Sequence, residues 1–198
     1  MTRSGAADST RDRVVAAATD EFARHGIAGA RVDRIAKSAR TSKERVYAYF
    51  RSKEDLYRVV RARELGAVAE ATRMDPTDLP GYAGRVHDYF AAHPDRYRLM
   101  AWGQLEIGGA EGPDGDPIRT TIAHKVDQVR RAQASGHLDP SWAPLDVLVL
   151  LNQIATSWAD QPDLAAALPA SERAEYLAAR RAAGVTAVQR LFPRNAQG

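Results

Sequence analysis

Apolar side chains recur at helical spacing in three stretches of the first 60 residues. Residues 10–25 form an apolar stripe on an otherwise charged helix, and residues 32–39 and 43–50 form two shorter stripes. The apolar positions are Val14, Val15, Ala18, Phe22 and Ala23, then Val32, Ile35, Ala36 and Ala39, then Val46, Tyr49 and Phe50. His25-Gly26 ends the first pattern, because glycine tolerates the left-handed C-cap conformation. The two short helices are too short to be stable alone, so we expect them to pack on the first as a helix-turn-helix.

The rest of the chain also shows helical patterns, and no alternation of apolar and polar positions predicts a strand. Ser52 as N-cap and Asp55 at the third helical position open a helix that runs to about Arg73. Two more helices meet at His93-Pro94, and others are predicted at about residues 118–135, 144–160 and 171–191. Residues 107–117, 136–141 and 162–169 are predicted to be loops. The sequence therefore predicts an all-α protein.

The helix predicted at residues 144–160 is apolar almost all round. Such a helix must be buried on more than one side. It is covered either by the core of its own chain alone or by that core together with a second copy of the chain. In the second case we expect Leu148, Leu151 and Val185 to lie at the interface between the copies.

Composition narrows the class of protein. The 198 residues, 44% of them apolar, are enough for one or two globular domains. No apolar run is long enough to span a membrane, and the N-terminus lacks the apolar segment of a secretory signal, so we expect a cytoplasmic protein. Because the chain has no cysteine, disulfides, thiol catalysis and cysteine-ligated zinc are excluded.

Positive charge is concentrated around the helix-turn-helix. Residues 1–60 carry 13 Lys/Arg against 8 Asp/Glu, whereas residues 61–198 carry 15 against 17. Between Arg40 and Lys53 there are five cations and one acid, Glu44. Such a local excess is typical of a surface that binds a polyanion. The alternative interpretation is a solvated basic face.

A specific motif ends this basic region, Val46-Tyr47-Ala48-Tyr49-Phe50 followed by Ser52-Lys53-Glu54-Asp55-Leu56. With this motif and with Phe22, Gly26, Val32, Ile35-Ala36 and Ser42, residues 10–57 resemble the N-terminal DNA-binding domain of the tetracycline-repressor (TetR) family. The chain departs from the family pattern at four positions. Arg40 and Glu44 stand where the family mostly has glycine, Arg45 where it mostly has threonine, and Arg31 where threonine or serine usually caps the second helix. These departures bear on base preference, because residues 43–48 are the exposed end of the recognition helix.

The resemblance implies two domains after a flexible N-terminus at residues 1–9. Residues 10–56 would form the N-terminal three-helix helix-turn-helix DNA-binding domain, and residues 57–193 a larger helical ligand-binding and dimerisation domain. It further implies a homodimer, held by the last two long helices, that binds pseudo-palindromic double-stranded operator DNA and is released by a small-molecule effector. A dimer also suits DNA recognition, since one short recognition helix reads few base pairs.

The recognition helix is predicted at about residues 43–50, with Ser42 as its N-cap, so its first residues are expected to face base edges. Lys43 and Arg45 can donate to guanine, and Glu44 can accept from cytosine. Glu44 could instead only orient Arg45.

Contacts to the phosphate backbone are expected around these base contacts. By the resemblance, Tyr47 places its hydroxyl on a phosphate and Lys53 clamps the backbone. Tyr49 either does the same or belongs to the three-helix core with Phe50. Arg31 and Arg40 are either phosphate contacts or solvated charges.

The resemblance also implies an effector cavity among the middle helices, lined by aromatic and a few polar groups. Each candidate for its lining could instead be an ordinary core side chain. The candidates are Tyr97, Met100, Trp102, Gln104, His124, Asn152 and Trp158.

The sequence contains no pattern typical of catalysis or of metal or cofactor binding. The five histidines do not have metal-ligand spacing, and neither a glycine-rich phosphate loop nor a nucleophile elbow is present. We therefore predict a ligand-responsive DNA-binding transcriptional regulator, most simply a repressor, and not an enzyme. Two alternatives stay open: a constitutive DNA-binding or interaction module without an effector, and an enzyme with a helical domain.

Overall fold

The fold consists of helices. A computed structural model of the protein describes residues 3–106, 117–159, 163 and 166–193, and these residues contain no strand, which confirms the predicted all-α class. The helices are α1 (Arg3–Gly29), α2 (Val32–Ser38), α3 (Lys43–Tyr49), α4 (Lys53–Thr72), α5 (Leu79–Ala92), α6 (Pro94–Glu106), α7 (Pro117–Ala134), α8 (Pro144–Thr156) and α9 (Ala170–Leu191). Apart from Pro117, the predicted loop at residues 107–117 lies outside the described residues, as does part of the one predicted at 162–169. No helix in the described ranges is both long and apolar enough to cross a membrane.

The helix bounds agree with the sequence patterns to within a few residues, with two exceptions. α1 begins at Arg3 instead of residue 10, because its apolar stripe starts only at Val14 and the preceding turns carry no periodic signal. α8 ends at Thr156 instead of residue 160. Near its end the hydroxyls of Thr156 and Ser157 donate to the carbonyls of Asn152 and Ile154, and such side-chain bonds satisfy the last carbonyls of a helix.

The described chain divides into two compact units. Unit one comprises residues 3–66 and 94–106, which are α1, α2, α3, the first part of α4, and α6. Unit two comprises residues 67–93, 117–159, 163 and 166–193, which include α5, α7, α8 and α9. The sequence-based domain limits, at residues 56 and 57, stay a prediction.

The core of unit one is built around aromatic and branched side chains from all its helices. Tyr57 of α4 packs edge-on against Phe22 of α1, with ring centroids 5.2 Å apart, and its hydroxyl donates to the carbonyl of Leu99 in α6 at 2.6 Å. Burial raises the pKa of Tyr57 to about 12, so this hydroxyl remains a donor. Phe50 is buried, as predicted, and Tyr49 packs against the same core while staying partly exposed.

Unit two packs α5 against α8 and α9. Gly84 of α5 lies so close to α9 that an added Cβ would be 3.0 Å from Arg181 and 3.3 Å from Val185. The Nε atom of Arg181 also donates to both carboxylate oxygens of Asp88 in α5, at 2.8 and 2.9 Å. The guanidinium of Arg181 holds the pKa of Asp88 below its ordinary value.

The prediction that Leu148 and Leu151 form an interface between copies is wrong. Both side chains are buried in the core of their own chain, so neither offers surface to a second one. Val185, the third predicted interface residue, is partly buried against Gly84. The apolar side chains that α8 leaves exposed are Leu145 and Val149.

A break at Gly26 separates the last turn of α1 from the rest of the helix. Gly26 has φ 66° and ψ −175°, a backbone conformation that is almost exclusive to glycine, and the helix breaks there, as predicted. There is also no room for a side chain, since an added Cβ would overlap the Glu106 carboxylate and lie 3.1 Å from the Trp102 ring. Both constraints require glycine at this position.

We expect Gly26→Ala to lower the free energy of unfolding by about 1–3 kcal/mol for the backbone conformation, and further for the overlap with Glu106. Gly29→Ala is the matched control, because it lies in a helical turn where an added Cβ meets only His25, at an ordinary 3.5 Å. Urea unfolding followed by circular dichroism measures both variants. Equal stability of the two variants would contradict this account of Gly26.

Candidate nucleic-acid interface

The short helix α3 presents a polar outer face. Its N-cap is Ser42, as predicted, whose hydroxyl oxygen accepts from the amide of Arg45 at 3.2 Å. Val46 is fully buried and anchors the helix on the unit-one core. The opposite face is left exposed, and it carries Lys43, Glu44, Arg45 and Tyr47.

The exposed side chains of α3 make only weak contacts with the protein. The ammonium of Lys43 lies 3.2 Å from a carboxylate oxygen of Asp33, and the guanidinium of Arg45 lies 5.5 Å from the Tyr49 ring centroid. Hydrogen bonds from its own backbone amide and from Ser42 hold the pKa of Glu44 below its ordinary value. Exposed ion pairs and cation–π contacts contribute at most about 1 kcal/mol each, so these side chains can exchange them for other partners.

Arg40 occupies the turn between α2 and α3 in a left-handed conformation, with φ 53°. The turn is closed by the amides of Arg40 and Thr41, which donate to the carbonyls of Lys37 and Ala36. A non-glycine residue here is strained by about 1–2 kcal/mol. This geometry explains physically why glycine suits the position. The Arg40 side chain itself is exposed.

Glu21 of α1 binds the start of α2, where the Arg31 side chain makes no cap. Arg31 is the N-cap residue of α2 but makes no side-chain cap hydrogen bond. Instead the Glu21 carboxylate accepts from the Arg31 amide at 2.9 Å and from Arg34 Nε at 2.7 Å. Burial alone would raise the pKa of Glu21, but the hydrogen bonds from Arg34 and Arg31 lower it below its ordinary value. Sequence reasoning missed Glu21, since an acid ten residues before the N-cap residue is not a capping motif.

Lys53 begins α4 and is held by backbone carbonyls. Its ammonium donates to the carbonyls of Ala28, at 3.2 Å, and Ala30, at 3.3 Å. Two of its three donors are thus used within unit one, and one remains for another partner. The predicted N-cap of α4 is confirmed, because the Ser52 hydroxyl accepts from the Asp55 amide at 3.0 Å.

The seven candidate effector residues are divided between the two units. Tyr97, Met100, Trp102 and Gln104 lie on α6 in unit one. His124 lies on α7, Asn152 on α8 and Trp158 just after α8, all in unit two.

Their surroundings differ. The Trp102 ring packs over Gly26, the Asn152 amide donates to the Leu148 carbonyl at 2.8 Å, and His124 is exposed. Trp158 stacks near His87, with ring centroids 5.2 Å apart. Among the residues whose positions are described, no group of three or more His, Asp or Glu could hold a metal ion.

Comparison with known proteins covers both units. Residues 14–60 match the family model described as bacterial regulatory proteins, tetR family, and residues 78–190 match that of the tetracyclin repressor-like C-terminal domain. The HTH-type transcriptional repressor SCO4008 of Streptomyces coelicolor is 41% identical over 152 residues, 77% of this chain and 79% of that protein. The HTH-type transcriptional repressor NicS of Pseudomonas putida is 32% identical over 113 residues, 54% of this chain and 53% of that protein.

A solved structure supports the same comparison. The crystal structure of the Streptomyces coelicolor protein SCO4942 has 60% sequence identity to this chain and a TM-score of 0.78. The match covers 93% of this chain and 99% of that one.

Proposed function

The chain belongs to the tetR family of bacterial regulatory proteins, and from this we propose that it is a transcriptional repressor that binds operator DNA as a homodimer. The observation that carries the proposal is the exposed polar face of α3, a short helix capped by Ser42 and anchored by Val46. A helix of this kind enters the major groove with its N-terminal residues against base edges.

Lys43, Glu44 and Arg45 read bases in this proposal. The two cations can donate to guanine O6 and N7, and the Glu44 carboxylate can accept from cytosine N4. Lys43 and Arg45 can turn to DNA because their present contacts with Asp33 and Tyr49 are weak and exposed.

Tyr47, Lys53, Arg31 and Arg40 contact phosphates. The Tyr47 side chain is 45% exposed beside the base-reading residues, and Lys53 has one ammonium donor left after its two carbonyl partners. Arg40 keeps a strained backbone at the turn, and strain of this kind concentrates at functional positions. Tyr49 remains a candidate phosphate contact at the edge of the core.

The proposed dimer forms through α8 and α9. Leu145 and Val149 lie four residues apart on one face of α8 and are 51% and 49% exposed, and Leu177 of α9 is exposed as well. A second copy of these two helices would cover this apolar surface. Two recognition helices related by a two-fold axis would then read two half-sites about one helical turn apart.

A small-molecule effector that releases the DNA is proposed to bind within unit two. The Nε1 atom of Trp158, beside the His87 ring, is buried and has no hydrogen-bond partner in the described part of the chain. A buried indole N–H usually has a partner, so an oxygen acceptor on a ligand suits it.

Arg45→Ala and Tyr47→Phe should separate base reading from phosphate binding. Arg45→Ala should relax the preference at one base-pair position by about 1–3 kcal/mol, whereas Tyr47→Phe should weaken all sequences equally, since it loses a phosphate contact. Selection from a random DNA pool, followed by anisotropy titration at fixed salt, measures both effects. The same selected motif for the wild type and Arg45→Ala would rule out base reading by Arg45.

Leu145→Glu should convert the dimer to a monomer, because it places a charge in the centre of the proposed apolar interface. Ile122→Glu is the matched control, since Ile122 is also an exposed apolar residue of unit two but lies on α7. Light scattering at micromolar concentration distinguishes the two states. A wild-type monomer, or a Leu145→Glu variant that remains dimeric, would remove the proposed interface.

Trp158 should report effector binding. In a protein whose other tryptophans, Trp102 and Trp142, are replaced by Phe, a compound that releases DNA should also change the Trp158 fluorescence. Trp158→Phe should raise the concentration of compound needed to release DNA by roughly tenfold or less, as expected for one lost hydrogen bond. A compound that releases DNA from the wild type without any change at Trp158 would place its site elsewhere.

A further inference from the structure

The backbone at residues 26–31, which we call the junction, is hydrogen-bonded by a side chain of α6 and a side chain of α4. The Glu106 carboxylate, at the end of α6, accepts from the amides of Ile27 at 3.1 Å and Ala28 at 2.6 Å. The Lys53 ammonium, at the start of α4, donates to the carbonyls of Ala28 and Ala30. Ala28 is therefore bonded to Glu106 through its amide and to Lys53 through its carbonyl.

The polarity of these contacts is favourable along the whole junction. The amide of Ala30 donates to the carbonyl of Gly26, so the junction forms one helical turn whose amides point one way and whose carbonyls point the other. A carboxylate at the amide end and an ammonium at the carbonyl end both complement the dipole of such a turn. Each ion thus stabilises the backbone position that the other one uses.

Glu106 reaches the junction because Gly26 has no side chain. A Cβ at residue 26 would overlap the carboxylate, and the Trp102 ring of the same helix also packs on this glycine. The Glu106 carboxylate thus occupies space that a side chain at position 26 would otherwise fill.

We propose that Glu106 is a positioning residue for DNA binding, acting through Lys53. By fixing the amides of Ile27 and Ala28, it holds the two carbonyls that orient the Lys53 ammonium towards the DNA backbone. Glu106 itself touches no DNA in this arrangement. The inference rests on the proposed function, in which Lys53 contacts a phosphate.

The direction in which Glu106→Gln changes DNA affinity distinguishes a positioning role from a simple effect of charge. Glu106→Gln removes a negative charge from the DNA-binding unit, which by itself would strengthen binding to a polyanion. If Glu106 positions Lys53, the same substitution must weaken binding instead, because the neutral amide accepts less strongly from the two backbone amides.

The experiment is a double-mutant cycle between Glu106→Gln and Lys53→Met. The probe is a DNA duplex selected by the wild-type protein from a random pool. Glu106→Gln should weaken binding of this duplex roughly three- to tenfold in the wild type and by less than about twofold in Lys53→Met, the coupling expected for residues in one network. Lys53→Met alone should reduce the slope of log affinity against log salt by about 0.9.

Asp95→Asn is the matched control, because it removes the same negative charge. Asp95 is exposed and lies at the start of α6, whereas Glu106 lies at the end of that helix. It should leave DNA affinity unchanged or raise it. Urea unfolding of every variant confirms that the proteins compared are folded. The fold should survive Glu106→Gln, because Arg34 still donates to the Gly29 carbonyl at 2.9 Å.

Several outcomes would overturn the inference. A Glu106→Gln variant that binds DNA as tightly as Asp95→Asn does would contradict a role through Lys53. The same contradiction follows if Glu106→Gln weakens DNA binding by the same factor in the wild type and in Lys53→Met. If Lys53→Met leaves affinity and salt dependence unchanged, the proposed phosphate contact is itself wrong and the inference fails with it. If Lys53→Met weakens binding but Glu106→Gln does not, only the role of Glu106 is wrong.

Discussion

The backbone break at Gly26 is the constraint on which unit one depends. Its left-handed conformation turns the chain away from the axis of α1 and frees the amides of Ile27 and Ala28 for Glu106. The carbonyls that follow are the ones that Lys53 binds. One residue without a Cβ therefore allows side chains of α4 and α6 to bind the backbone at the end of α1.

The cations around the helix-turn-helix fall into two physical classes. Arg34 and Lys53 are held by a largely buried carboxylate and by backbone carbonyls, so they contribute to the fold. Lys43 and Arg45 make only exposed contacts, which are worth little in water. A regulator can use Lys43 and Arg45 to read DNA, because moving these side chains costs little stability.

The sequence predicted the structural features that depend on neighbouring residues, and it missed the contacts between residues far apart in the chain. Gly26, Ser42 and the helix bounds follow from local backbone preferences, and the family motif predicted a regulator instead of an enzyme, as the comparisons confirm. The contacts of Glu21 with Arg31 and of Glu106 with Ala28 join residues 10 and 78 apart, for which no local pattern exists. Leu148 was misassigned because periodicity cannot tell which side of an all-round apolar helix its own chain covers.

Three departures from the family pattern share one physical effect. Arg31, Arg40 and Arg45 each place a positive charge where the resemblance leads one to expect a neutral residue, and Glu44 offsets only one of them. Two of these changes weaken the local backbone, since Arg31 provides no cap for α2 and Arg40 is held at a positive φ. The Glu21 carboxylate binds the Arg31 amide at the start of α2, and the amides of Arg40 and Thr41 close the strained turn on the carbonyls of Lys37 and Ala36. On the proposed function, these arginines weaken the local backbone structure but strengthen the attraction to phosphates. The DNA affinity of the chain therefore depends more strongly on salt.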